Sequence, residues 1–543
     1  MSTAADRKWF ALGTLALGLS MIVLDGTIVG VALPRIITDL HLDLTDAQWV
    51  NSLYSMIFAA LLLTFGRLGD RFGRRRLFLV GVLVFVAGSI TAARADAASA
   101  LIASRALQGV GGAMVLPATL STVNATFRGK DRAVAFGVWG AVMAGMAAVG
   151  PLLGGWLTTS FDWRWIFLVN VPLGALVLVG TLLWVPETRS ATKARGFDAD
   201  GLLTSGIGLA LVVFALIEGT DLGWWKPLRQ FTIAGMTWPA TAPVSPVPVA
   251  ALVGVVFIAL FVVWERHRAR VQRDAILDLS LFTFPTFTWG NLTALTVAAG
   301  EFALVFVMPL FLVNALGLSI LGAGWVLAAM AGGAFLAGAS ARHVAERLSA
   351  TMVVLIGLSL ELVGVLSTAL VLGRGTSSWL IAATLTAYGV GLGLASAQLT
   401  STVLGDIPAD RSGSASATQS TVRQVGSALG SAVAGGALAV ALAHTLPDRL
   451  ATIAGLPPGK AAELAAQTSQ SAGGVIPGLR AQGARGPWGD AGPAIADALA
   501  AGFADATRLA ILVSAAFLVA GLLGAWQVHR RAHRSTGVLV PAA

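Results

Sequence analysis

Apolar residues run along this chain in blocks of about twenty, the length that crosses a hydrocarbon layer, and not at the short periods of a soluble helix or strand. Charges, glycines and prolines divide the blocks into fourteen predicted spans, near residues 9–32, 47–66, 76–93, 99–123, 133–157, 165–185, 201–219, 247–264, 286–313, 320–340, 351–372, 378–402, 413–442 and 506–528. The pattern predicts an all-α polytopic membrane protein in contact with the lipid bilayer along most of its surface. Between spans, residues 220–246 hold interfacial tryptophans and prolines. Residues 443–505 read as a long Gly/Ala/Pro-rich loop whose AAELAAQ and AIADALAAGFADA pieces look like short amphipathic helices. The opening RKWFALGTLALGLS has the charged start and apolar run of a signal peptide. That run passes Ala32 without a small-residue cleavage site, which favours a retained first helix.

An even number of spans puts both termini on one side of the membrane. With the termini inside, the cytoplasmic segments hold 23 Lys and Arg residues against 11 on the other side, so the positive-inside rule favours cytoplasmic termini. Composition agrees with this class: the 543 residues are 56% hydrophobic and only 12% charged, too little polar surface for a soluble globule. The formal charge of +9 is explained by topology, so no nucleic-acid partner is implied. The absence of cysteine excludes disulfides, thiolate metal sites and cysteine nucleophiles. GVGGA lies inside a span and no Gly-rich loop with Lys-Ser/Thr follows a strand, so the energy source is expected to be an ion gradient and no cofactor is expected.

Polar residues inside apolar spans are the candidate chemistry, because an ionised group there is costly. Asp25 lies within LSMIVLDGTIVGVALP of span one, Arg105 within LIASRALQGVGGAMVLP of span four, Glu301 within span nine and Glu361 within VLIGLSLELVGVLS of span eleven. Arg105 either faces the protein interior or a wet cavity, or snorkels to an interface. The first inner loop, GRLGDRFGRRRL, combines Gly66, Gly69 and Gly73, which permit a tight turn, with Asp70 and a row of arginines. A topology anchor alone would need only the arginines. Span five carries small residues at three- and four-residue spacing, including Gly145, Gly150, Gly154 and Gly155, a surface that lets another helix approach closely. Pro151 predicts a kink in it.

These residues resemble the major facilitator superfamily, and within it the fourteen-helix drug:proton antiporter branch of the quaternary-ammonium exporter type. The loop fits the family pattern G-x-L-x-D-R-x-G-R-R/K through Gly66, Leu68, Asp70, Arg71, Gly73, Arg74 and Arg75. Span four fits R-x-x-Q-G at Arg105, Gln108 and Gly109, and span five fits the antiporter pattern G-P-x-x-G-G at Gly150, Pro151, Gly154 and Gly155. The opening stretch resembles the branch signature L-D-x-T-I-V-x-V-A-L-P from Leu24 to Pro34, with Gly30 where the branch often has asparagine, and WRWIFLVNVPLG resembles its entry to span six. The match thins beyond residue 185. There it rests on helix count and on TVRQVGSALGSA, and the loop GASARHVAERLSA is a degenerate echo of the first inner loop with Arg342 near the place of Asp70.

The resemblance implies two six-helix bundles, residues 1–185 and 286–543, separated by two inserted helices in residues 186–285, in a monomer of the bacterial cytoplasmic membrane. It makes span nine the counterpart of span one, so that Asp25 and Glu301 would face each other across a central cavity, binding protons and contacting cationic substrate while Arg105 biases the proton affinity. Asp70, Arg71 and Arg74, with Gly66, Gly73, Gln108 and Gly109, would form a conformational gate. For Glu361 the choice stays open between a neutral structural role and coupling, and Glu218 is expected near the outer interface. The implied function is proton-coupled efflux of drugs or antibiotics by alternating access. An importer or facilitator on the same fold and an intramembrane enzyme are the other classes, the last opposed by the lack of any metal-ligand cluster beside the acids.

Overall fold

Once water is gone, a spanning segment must satisfy its own peptide groups, so each apolar block closes into a helix. The computed structural model describes residues 4–127, 129–189, 198–233, 236–271, 273, 275–373, 375–407, 412–451, 453 and 456–536. Its helices are α1 (Ala4–Leu40), α2 (Leu44–Phe72), α3 (Arg74–Ala93), α4 (Ala98–Thr126), α5 (Gly129–Ser160), α6 (Trp165–Leu168) and α7 (Asn170–Trp184), then α8 (Ala199–Leu222) and α9 (Pro246–Arg270). There follow α10 (Pro285–Leu310), α11 (Ile320–Leu348), α12 (Ala350–Val371), α13 (Ser378–Leu404), α14 (Ser412–Leu450), α15 (Pro458–Gln470), α16 (Val475–Gln482) and α17 (Ala491–Thr536). Among the described residues, thirteen spans are long and apolar enough to cross a membrane, α6 and α7 together making one of them. The remaining predicted span is α5, a helix of 32 residues that continues through Pro151; many of its side chains lie outside the described residues.

Successive crossings leave the starts of α1 and α5 at one end of the bundle, where Lys8 Nζ donates to Asp131 Oδ2 at 2.6 Å. This terminal end also carries the end of α17, whose His529 Nδ1 meets Thr351 Oγ1 at 2.9 Å at the start of α12. The opposite, loop end holds a small hairpin, β1 (Phe231–Ile233) paired antiparallel with β2 (Met236–Trp238), and the segment between α14 and α17.

Helices α1 to α7 pack among themselves, as do α10 to α14 with α17. Two helix pairs cross between these groups: α5 lies against α11 and α2 against α14. Glycine permits the first at the loop end, where a Cβ on Gly155 would stand 3.1 Å from Leu321 Cα and one on Gly324 would stand 2.7 Å from the Pro151 carbonyl oxygen. In the second, Ser52 Oγ donates to the Ala428 carbonyl at 3.4 Å, Ser55 and Ser427 hydroxyls meet at 3.1 Å, and Gln48 is buried beneath Gly435. Helix α8 leans on both α2 and α14, whereas α9 packs chiefly on α8 and turns Leu252, Val255, Val256 and Val263 outward as a lipid face.

Two loop expectations are corrected. The segment 443–505 is shorter than predicted, because α14 runs to Leu450 and α17 begins at Ala491. AAELAAQ lies in α15, but AIADALAAGFADA is no separate helix. Ile495, Leu499 and Phe503, four residues apart, are fully buried in the core and carry that piece straight into the membrane span. The echo loop GASARHVAERLSA is mostly helix as well: α11 extends to Leu348, and the chain turns only at Ser349, with φ 77°. There Arg342 pairs with Glu346 at 3.4 Å on an exposed face.

Candidate functional site

Asp25 stands within the apolar length of α1, with no exposed surface. Arg105 of α4, 1% exposed, donates from Nη1 to Asp25 Oδ2 at 2.5 Å. The other carboxylate oxygen, Oδ1, accepts from Gln108 Nε2 at 2.8 Å and from Asn170 Nδ2 at 3.1 Å. Both amides also donate to Ser89 Oγ, at 2.9 and 3.2 Å. Arg105 uses its remaining donors on the Gln108 side-chain oxygen at 2.8 Å and the Val50 carbonyl at 3.3 Å, and its guanidinium lies 4.1 Å from the Tyr54 ring centre. The i, i+3 spacing of Arg105 and Gln108 brings both side chains to one face of α4. Close contact of α4 with α2 and α3 holds that face in place: a Cβ on Gly109 would be 2.8 Å from the Tyr54 carbonyl oxygen, and one on Gly88 would be 2.8 Å from the Gln108 nitrogen.

A carboxylate with an arginine partner and two amide donors is satisfied as an anion in low dielectric. This arrangement departs from the expectation that Asp25 lines a cavity: here it is sealed among α1, α3, α4 and α7. It also moves Gln108 from the predicted gate to the carboxylate network, and it rules out snorkelling for Arg105. Sequence reasoning missed Asn170, Ser89 and Tyr54. The signal for Asn170 was present, an amide inside the apolar WIFLVNVPLG.

Glu301 has a different setting. It is half-buried on α10, and its Oε2 lies 3.9 Å from Arg423 Nη2 of α14. Both side chains keep some exposure, 21% and 34%, although the helices carrying them are largely buried. Gly26, one residue beyond Asp25, is also half-exposed, and a Cβ there would meet no heavy atom within 4 Å. Gly30 does not face such space; it packs against Val305 of α10. Glu361 of α12 is fully buried, and neither of its carboxylate oxygens has a hydrogen-bond partner. Glu218 accepts from Trp49 Nε1 at 2.9 Å, tying α8 to α2.

At the terminal end, Gly73 ends α2 with φ 114° and starts α3. Gly66 sits under Pro117 of α4, 3.6 Å from where its Cβ would be. The arginines that follow bind the segment after α7: Arg74 Nη1 donates to the Ser121 carbonyl at 3.0 Å, Arg75 Nη2 to the Leu182 carbonyl at 2.7 Å, and the Arg75 amide to Glu187 Oε1 at 3.2 Å. Glu187 was not predicted. Arg71 is exposed, its guanidinium 5.2 Å from the Phe72 ring. The side chain of Asp70 and the position of Gly145 lie outside the described residues. In the antiporter pattern, Gly150 and Gly154 face α1, where Cβ atoms would stand 1.9 Å from Thr27 Oγ1 and 2.8 Å from Ile28 Cγ1, while Pro151 and Gly155 face α11.

Helices of membrane length, two groups joined face to face, and a satisfied ion pair sealed inside one of them define a multi-pass membrane transporter. The chain belongs to the major facilitator superfamily, whose family model matches residues 15–431. It is 33% identical over 435 residues to the multidrug resistance protein Stp of Mycobacterium tuberculosis, covering 80% of this chain and 76% of that one. To the probable actinorhodin transporter of Streptomyces coelicolor it is 32% identical over 442 residues, 79% and 72% of the two chains. Among solved structures, a bacterial homologue of the human lysosomal transporter Spinster, inward-facing and unoccupied, aligns with a TM-score of 0.58 and 17% identity over 96% of this chain and 98% of the other, a likeness of fold alone. Membership of a transporter family sets aside the intramembrane enzyme.

Proposed function

We propose that this transporter exports lipophilic, commonly cationic drugs or antibiotics across a bacterial cytoplasmic membrane in exchange for protons, by alternating access. The observation that carries the reading is the sealed Asp25–Arg105 pair, with the exposed Glu301 beside it in the fold. In this reading residues 1–185 and 286–543 are two six-helix bundles with an inserted pair between them, the terminal end is cytoplasmic, the working unit is a monomer, and the proton gradient is the only energy source. Relatives named for multidrug resistance and for an antibiotic support the substrate class.

The contacts of α5 with α11 and of α2 with α14 close the loop end in this conformation. Asp25 lies in that closed half, cut off from outside water. Separating the bundles there brings water toward α1, and a proton taken by Asp25 removes the charge that holds Arg105. The ion pair is therefore able to report protonation to α4 and, through Gly150 and Gly154, to the α1–α5 contact. Glu301 has a different task. It is water-accessible and only loosely held by Arg423, so a lipophilic cation competes with that arginine for the carboxylate.

Inside-out vesicles with an acid interior and no nucleotide test this. They should accumulate tetraphenylphosphonium, and collapse of the pH gradient should empty them. Accumulation that persists without the gradient, or none with confirmed insertion, contradicts the reading.

A further inference from the structure

Glu361 is placed where an acid is hardest to keep ionised. It has no exposed surface, and neither oxygen has a donor; Tyr388 of α13 is equally buried and its hydroxyl is also unpartnered. The slot between α12 and α13 is fixed by glycine. A Cβ on Gly391 would stand 2.5 Å from the Glu361 nitrogen and 3.0 Å from its Cγ, and one on Gly364 would stand 2.5 Å from the Tyr388 nitrogen. Neither helix has room to withdraw its side chain by a small shift.

Two charged groups act on Glu361 across this slot, Glu301 of α10 and Arg423 of α14, and Tyr388 faces it from α13. The other helices packed on α12 keep their ionisable groups near the helix ends: on α17, Arg508 donates to the Ala369 and Leu372 carbonyls and His529 meets Thr351, and on α11 Arg342, His343, Glu346 and Arg347 lie at the terminal end. One guanidinium thus serves two carboxylates. In a low-dielectric interior it can balance one of them, and in this structure it stands beside Glu301 at 3.9 Å. Glu361, with no donor at all, holds its proton here.

We propose that Glu361 is a second proton-carrying site, loaded while Arg423 is held by Glu301 and discharged when a cationic substrate takes Glu301 and turns Arg423 toward Glu361. In the discharge the carboxyl O–H bond breaks, the electron pair stays on Glu361 as carboxylate, and the proton leaves to water beside Glu301. One cation enters, one proton departs, and the net charge of the cluster is unchanged. This deepens the antiport reading and rests on it.

The test counts protons released into weakly buffered solution when tetraphenylphosphonium saturates the purified full chain. Wild type should release protons, and Glu361→Gln should bind the probe but release about one fewer per protein. Arg423→Gln keeps Glu361 intact and should also lose that proton, which covers a failure of the first variant to fold. Release equal to wild type in either variant overturns the inference and leaves antiport standing. A wild type that binds the probe and releases none, or does not bind it, overturns both.

Discussion

Arg105 and Asp25 meet at 2.5 Å with 1% and 0% of their side chains exposed, and every remaining oxygen of the carboxylate is occupied by an amide donor. The pair is a closed unit: each partner makes the other affordable in the membrane interior, and neither is exposed to substrate in this conformation.

That closure predicts an asymmetry between single and double substitutions. Arg105→Ala strands a buried anion and should cost on the order of 3–5 kcal/mol of stability. Asp25→Asn with Arg105→Gln removes both charges and should cost much less. Thermal unfolding in detergent separates the two, and equal losses contradict the prediction.

The glycines between α1 and α5 predict a steric block. In Gly154→Val the new side chain meets Ile28, whose carbonyl oxygen lies 2.9 Å from the Cβ position, so transport should fall at least about tenfold with insertion intact. Gly26→Ala is the contrast. Its Cβ meets nothing within 4 Å, and helix propensity should raise stability by up to about 1 kcal/mol.

The inserted helices are pinned at the terminal end by a buried cluster. Arg268 Nε lies 3.3 Å from Asp198 Oδ2, Trp264 Nε1 donates to Asp198 Oδ1 at 2.8 Å, and Glu265 accepts from the Leu277 amide at 2.9 Å. Arg268→Gln should loosen α9 and the approach to α10 while leaving α1 to α7 as they are. Faster hydrogen exchange confined to α8, α9 and residues 275–281 is the expected result; uniform protection would count against it.

At the loop end, α15 and α16 form a cap seated on the bundle by Leu464, Ile476 and Leu479. Asn314, in the short π-helical stretch after α10, donates from Nδ2 to the Ala472 carbonyl at 2.8 Å where the cap turns. Asn314→Ala should cost about 1 kcal/mol and raise exchange in α15 and α16. Unchanged exchange there would mean that apolar packing alone holds the cap.

Much of this was legible in the sequence because the bilayer imposes it. Span lengths, the even crossing number and the charges at Asp25, Arg105, Glu301 and Glu361 follow from the cost of polar groups in hydrocarbon. What the sequence hid was pairing. Asn170 and Ser89 read as ordinary helix residues until the fold brought them to Asp25, and Glu187 looked like a loop acid until the arginines after Gly73 closed on it. The direction in which a buried acid faces is a tertiary fact. Resemblance placed Asp25 opposite Glu301, while the packing of α4 and α7 turned it inward. The two extended helices, α11 and α17, were misread because alanine-rich amphipathic sequence looks alike whether it caps a bundle or continues a span.

The claim that Asp25 couples transport to protons, and is not a contact for substrate, is tested most directly by Asp25→Asn in proteoliposomes. The account predicts that the variant still exchanges labelled for unlabelled tetraphenylphosphonium but no longer accumulates it against a gradient when protons are supplied. Accumulation at the wild-type level, or loss of exchange together with accumulation in a folded variant, would contradict it.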